Sequence, residues 1–88
     1  MPYICLACGY PGLNEEPRAE ETGGSYEICP SCGLQFGLDD EAGGDAARRP
    51  EVYRQWRKRW INGGMAWHSR SIEQPRYWQP SKQLLKPN

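Results

Sequence analysis

The chain has 88 residues and a mass of 10.1 kDa, enough for one small domain and too little for a two-domain enzyme. Only 12 residues are Leu, Ile, Val or Phe, which excludes an ordinary aliphatic core and calls for a further source of stability. Eleven Lys plus Arg balance eleven Asp plus Glu, for a formal net charge of zero, so the chain is neither uniformly basic nor uniformly acidic. The balance hides a division: residues 1–47 hold nine acidic side chains against Arg18 alone, and residues 48–88 hold ten basic ones against Glu51 and Glu73.

The first element in chain order is a metal-binding turn. Cys5-Leu6-Ala7-Cys8-Gly9 is repeated as Cys29-Pro30-Ser31-Cys32-Gly33, with twenty residues between Cys8 and Cys29. Two residues between cysteines let both sulfurs face one ion, and two such turns complete a tetrahedral shell of four thiolates. Gly9 and Gly33 allow the positive φ that turns backbone N–H groups toward sulfur. Ile4 and Ile28 extend the repeat to Ile-Cys-x-x-Cys-Gly at an offset of 24, the pattern of two knuckles, each at the end of a short β-hairpin. Cys5, Cys8, Cys29 and Cys32 are therefore the expected metal ligands. Four thiolates suit zinc, or alternatively iron, and leave no position for a catalytic water. A structural zinc contributes on the order of 10–16 kcal/mol of apparent binding energy to folding, which would compensate for the thin core.

Between the knuckles, Asn14 to Gly24 is polar, acidic and glycine-ended and reads as a solvated loop. Ser25 to Cys29 reads as a short strand. Leu34, Phe36 and Leu38 alternate with Gln35 and Gly37, the period of a half-buried strand with Phe36 inward, so a three-stranded ribbon over residues 1–40 is expected. Residues 41–49 form a turn-rich junction. The carboxylates of Asp39, Asp40, Glu41 and Asp45 do not follow the order of a calcium loop and read as a solvated turn.

Residues 50–63 read as one helix, with Pro50 in the first turn, Glu51 at the positive end, Lys58 and Arg59 toward the negative end, and Gly63-Gly64 as the stop. Val52, Tyr53, Trp56 and Trp60 recur at helical spacing as an aromatic stripe, expected to pack on the ribbon. Residues 64–88 are punctuated by Pro75, Pro80 and Pro87 and read as a wrapping segment, in which Pro80 could start a short helix that sets Leu84 or Leu85 against the core. His68, the only histidine, reads as a surface or packing residue beside four thiolates already sufficient for one ion.

The stretches Tyr3-Ile-Cys-Leu-Ala-Cys-Gly-Tyr10 and Ile28-Cys-Pro-Ser-Cys-Gly33 resemble the paired knuckles of rubredoxins, which would imply an iron-bearing electron carrier. A longer resemblance is to the bacterial cysteine-rich CPCC-type zinc-ribbon family. It is carried by Cys-Gly-Tyr-Pro-Gly-Leu at 8–13, Gly-Ser-Tyr-Glu-Ile-Cys-Pro-Ser-Cys-Gly at 24–33 and Phe36-Gly-Leu-Asp-Asp40. It continues through Tyr53-Arg-Gln-Trp-Arg-Lys-Arg-Trp-Ile61 and Trp78-Gln-Pro-Ser-Lys-Gln-Leu84. The first knuckle departs from the family's Cys-Pro-Cys-Cys by reading Cys-Leu-Ala-Cys. The resemblance implies a metal-binding bacterial protein without a known reaction.

The expected fold is thus a small metal-bound α+β domain: rubredoxin-like, zinc-ribbon knuckles on β-hairpins, one amphipathic helix and a proline-rich wrapping segment. The expected function is non-catalytic, a structural zinc holding a module that binds another protein. One alternative is nucleic-acid binding through Arg54, Arg57 and Lys58, with the neighbouring aromatics stacking on bases. The other is electron transfer through iron. No apolar run approaches the roughly 18 residues of a membrane span, and MPYICLACGY lacks the features of a signal peptide. A cytoplasmic protein with no membrane contact is expected, in a compartment that keeps thiols reduced.

Overall fold

The structure is a computed structural model that describes residues 3–19 and 23–84. Both knuckles form, and they repeat one hydrogen-bond pattern. In the first, the Cys5 amide donates to the Tyr10 carbonyl at 2.8 Å and the Gly9 amide to the Cys5 carbonyl at 3.0 Å. In the second, the Cys29 amide donates to Leu34 at 2.9 Å and the Gly33 amide to Cys29 at 2.8 Å. Gly9 and Gly33 share a φ of +83°, a left-handed conformation that costs a glycine nothing. Each turn is closed by a single antiparallel bridge, Tyr3 with Leu13 and Ile28 with Gln35.

The expected three-stranded ribbon does not form among the described residues. The only regular pairing there is β1 (Arg18–Ala19) with β2 (Gly23–Gly24), antiparallel, inside the segment expected to be a loop. The backbone explains why the longer strands stop. Tyr26 has a φ of +64°, which a continuing strand cannot accommodate. Its amide donates to the Phe36 carbonyl while Glu27 accepts from the Phe36 amide, so two residues oppose one, as in a bulge. On the other side Gly37, at φ +94°, redirects the chain. Leu34 and Phe36 are fully buried as their alternation predicts, but beyond Gly37 the side chain of Leu38 points to solvent.

After Leu38 the chain passes through two short turns, Ala42–Gly44 and Ala46–Arg48, into helix α1 (Arg49–Asn62). Pro50 lies in its first turn and the Gly63 amide closes its last on Arg59 at 2.9 Å, close to the expected limits. The stripe faces inward: Tyr53 is buried against Phe36, and Trp56 and Trp60 pack against the core half-buried. The C-terminal segment wraps back over the knuckles, and its last element among the described residues is α2 (Pro80–Gln83). Tyr10, Trp67, Trp78 and Trp60 form a chain of ring contacts along this seam, with centroids 5.1–6.3 Å apart. The residue that α2 buries is Gln83, with Leu84 half-buried; Leu85 and Pro87 lie outside the described residues.

Asp40, expected in a solvated turn, is fully buried. Arg18 donates to its carboxylate at 2.7 and 3.1 Å, the Gly37 amide donates at 2.6 Å, and the Tyr53 hydroxyl completes the set. Arg49 and Arg18 also donate to its carbonyl, at 3.1 and 3.2 Å. Burial by itself raises the carboxyl pKa, but the hydrogen bonds from Arg18, Tyr53 and Gly37 outweigh it and hold the group below its ordinary value. Burial and the adjacent carboxylate push the Tyr53 phenol up. This network pins the start of α1 to the hairpin region.

A carboxyl whose folded pKa is lowered adds stability above its ordinary value of 3.8 and loses it as pH falls through the lowered folded value. The stability gap between the protein and Asp40→Asn should therefore narrow under acid, a difference in which the thiolate contribution common to both cancels. At neutral pH, Tyr53→Phe should cost about 1–3 kcal/mol and Arg18→Met about 3–5 kcal/mol in denaturant unfolding. Glu51→Ala, at the solvent-exposed pair with Arg54 in the first turn of α1, should change stability by no more than about 1 kcal/mol.

Candidate metal centre

The two knuckles bring Cys5, Cys8, Cys29 and Cys32 together, all buried, with their sulfurs within 4.8 Å of one another. Cys5 and Cys32 sulfurs are 3.8 Å apart and Cys8 and Cys29 sulfurs 3.7 Å, far beyond a disulfide bond of about 2.05 Å. A tetrahedral shell with metal–sulfur bonds of about 2.3 Å has edges of about 3.8 Å, so the spacing fits one ion at the centre. The four cysteines could thus hold a metal ion.

The electrostatics favour a cation. Hydrogen bonds from Cys29, Cys32 and Cys5 push the Cys8 thiol down. The Cys32 thiol is pushed up by Cys29, then by Cys5, Cys8 and burial. A divalent ion reverses this order by stabilising every thiolate at once. The backbone adds polar support at the first knuckle, where the Ala7 and Cys8 amides point to the Cys5 sulfur at 3.4 and 3.5 Å.

Helix α1 holds both knuckles through side-chain donors. The Trp56 indole donates to the Cys32 carbonyl at 3.1 Å and the Arg57 guanidinium to the Ala7 carbonyl at 3.1 Å. Arg57 therefore sits against the centre as a partly buried latch, bringing a cation near a site that carries −2 when a divalent ion binds four thiolates. Arg54 lies away from the centre, paired with Glu51 at 2.7 Å, and Lys58 is exposed on the outer face. The three basic residues expected to act together thus divide among three environments. Arg59 lies over the Trp56 ring at 4.9 Å. With Trp60 these two line a cleft of about 240 Å³ that reaches Cys32, the most exposed ligand at 7%.

The C-terminal segment covers the outside of each knuckle. The His68 and Ser69 amides both donate to the Pro30 carbonyl at 3.0 Å, and the His68 ring lies against Gly33, where an added Cβ would stand 2.6 Å from Nδ1. His68 is a surface residue whose exposed side chain lies against Gly33, outside the thiol cluster. At the first knuckle the Gln83 carbonyl occupies the space a Cβ of Gly9 would need. Ser31, inside the second knuckle and fully buried, accepts from the Gln83 amide at 3.0 Å. A hydroxyl between two buried cysteines was a visible signal for Ser31. No periodicity marks Gln83, and only the isolation of Arg18 among acids hinted at Asp40.

The chain is similar to two proteins of Bacillus subtilis (strain 168). One is "Uncharacterized protein YoaQ", 34% identical over 71 residues; the other is "Uncharacterized protein YozI", 32% identical over 72 residues. Its relatives are bacterial. Each match takes in 72% of this chain and 60% of the relative, so the chain spans less than two thirds of the relatives it matches. No protein-family model matches the chain, and no solved structure matches it.

Gly33→Ala combines a left-handed φ with a collision against His68 and should lower the stability of the metal-loaded protein by about 1–3 kcal/mol. Chemical denaturation at fixed metal concentration measures it. Gly43→Ala, at φ +64° with open space around it, isolates the backbone component and should cost less.

Proposed function

We propose that this is a non-catalytic metal-binding protein of the cysteine-rich CPCC-type zinc-ribbon kind, in which a structural zinc, held by Cys5, Cys8, Cys29 and Cys32, supports a surface for another protein. The observation that carries this reading is the convergence of four buried sulfurs within 4.8 Å of one another, two pairs of them at the tetrahedral-edge spacing of 3.7–3.8 Å. Such a shell is closed, so a bound ion has no free position for water or substrate. Bound zinc would supply a folding cross-link between segments 24 residues apart in sequence and no redox chemistry. Four reduced thiols suit a cytoplasmic setting.

Support for a protein partner comes from charge. Among the described residues, no ion pair joins an acid of the first half to a base of the second: Arg18 pairs with Asp40 and Glu41, and Arg54 with Glu51. Arg49 and Arg57 donate to backbone carbonyls. The opposite poles are left to act on the surroundings, where they steer association. Nucleic-acid binding is less well supported, because Arg57 and Trp56 are engaged on the knuckles.

Elemental analysis of protein expressed with both metals available tests the metal. A colourless protein with one zinc per chain is expected; a red protein with one iron would overturn the zinc reading in favour of electron transfer. For the partner, titration with a short oligonucleotide at low salt should show no binding. Salt-sensitive binding that vanishes in an Arg54/Arg57/Lys58 triple-alanine variant would move the function to nucleic acid.

A further inference from the structure

Four large apolar side chains stand in solvent around the second knuckle: Tyr26 is 62% exposed, Ile28 47%, Leu38 62% and Ile72 46%. Singly, exposed apolar residues need no explanation, but a contiguous patch marks an interaction surface. These four share a surface centred on Gln35. Ile28 bridges Gln35, flanked by the Cys29–Leu34 and Phe36–Glu27 hydrogen bonds, so the two form a non-hydrogen-bonded pair with their side chains close together on one face. That face is opposite the core, because the neighbours Cys29, Leu34 and Phe36 alternate with them and are buried.

Gln35 Nε2 donates to the Tyr26 carbonyl at 3.1 Å, and the Gln35 carbonyl accepts from the Leu38 amide at 3.2 Å. The Tyr26 ring lies over Gly37, where an added Cβ would stand 3.2 Å from it, next to Leu38 in the chain. On the other side of Ile28, where the Pro30 carbonyl meets the His68 and Ser69 amides, a cleft of about 380 Å³ opens between Ile28 and the segment that carries Ile72.

Charge differs between the two ends of this surface. His68 and Arg70 are exposed and line the cleft, and Arg70 has no carboxylate partner among the described residues. At the Leu38 end stands exposed Asp39, with one carboxylate oxygen on the Gln35 amide at 2.8 Å. The order across the face is therefore a cation, an apolar cleft, Gln35, an exposed leucine and an anion.

A surface built this way is complementary to itself. A half-turn about Gln35 sets Leu38 of one copy over the cleft of the other and Asp39 opposite Arg70, and the same contacts recur on the far side of the axis. Such an isologous contact closes at two copies. Net charge does not oppose it, since the chain sums to zero.

We infer that this face joins two copies of the chain in a homodimer, with Leu38 of each copy seated between Ile28 and Ile72 of the other. The inference depends neither on which ion the cysteines hold nor on a further partner protein. Four apolar side chains from each copy make a small contact, so the dimer is weak, half-associated between about 1 µM and 1 mM.

Sedimentation velocity of the full chain, kept reduced and supplied with zinc, tests this over about 1 µM to 2 mM. The mass should rise from one chain to two and no further. Leu38→Asp and Ile72→Asp, on separate segments, should each weaken association at least about tenfold, and Arg70→Glu about two- to tenfold. Ile61→Asp, at an exposed position on α1, should leave the mass curve unchanged. Far-UV circular dichroism reports the fold of each variant; where one of the Leu38 and Ile72 variants fails to fold the other decides, and where both fail Arg70→Glu decides. A monomer at every concentration would overturn the inference, as would growth beyond two copies. So would a dimer that the deciding variant leaves intact or that Ile61→Asp disrupts.

Discussion

Four thiols packed within 4.8 Å of one another are the constraint on which the rest of this structure depends. Without a cation they cannot all ionise, because each thiolate raises the cost of the next. With one divalent ion they become a cross-link between two turns distant in sequence. On the proposed reading, that exchange of repulsion for coordination is what would let a chain with 12 Leu, Ile, Val and Phe residues sustain a fold. Cys5, Cys8, Cys29 and Cys32 are themselves a large part of the buried apolar set, beside Ala7, Leu13, Leu34, Phe36 and Tyr53. The ligand sphere and the hydrophobic core are one object.

Around this centre the chain is held from three sides by polar contacts of high directionality. Asp40 gathers Arg18, Gly37 and Tyr53 and so sets the start of α1. Trp56 and Arg57 reach from the middle of α1 to a carbonyl in each knuckle. His68 and Gln83 close the outer surfaces at Gly33 and Gly9. In each case a donor satisfies a backbone carbonyl, a buried carboxylate or a hydroxyl that would otherwise be costly to bury. The absence of an ion pair between the acidic and basic halves, among the described residues, follows from the same pattern: Arg49 and Arg57 serve carbonyls in the first half rather than its carboxylates. Neutrality of the whole chain is arithmetic, and the surface it leaves is polarised.

The parts legible in the sequence are those set by short-range spacing. Two Cys-x-x-Cys-Gly turns fix their own hydrogen bonds, and Pro50, the aromatic stripe and Gly63-Gly64 bound a helix within a residue or so. The strands were not legible, because alternation around Phe36 does not reveal that Tyr26 adopts a left-handed φ or that Gly37 bends the chain away from Leu38. Asp40 read as one more acid in an acidic turn, since its environment is assembled from Arg18, Arg49 and Tyr53 far along the chain. Arg57 looked like part of a basic face with Arg54 and Lys58. Helical rotation alone separates them, placing Arg57 toward Ala7 and Lys58 toward solvent. Gln83 had no sequence signal at all, for its role depends on how the wrapping segment returns to Ser31.

The most direct measurement is a titration of the reduced, metal-free chain with zinc, followed together by far-UV circular dichroism and tryptophan fluorescence. Trp56, Trp60, Trp67 and Trp78 lie on the contacts between the knuckles, α1 and the C-terminal segment, so the indoles report assembly of the whole fold. A gain of both signals saturating together at one equivalent of zinc is the result expected if the ion nucleates the structure. A chain with full native signals before any metal is added, unchanged by zinc, would contradict it.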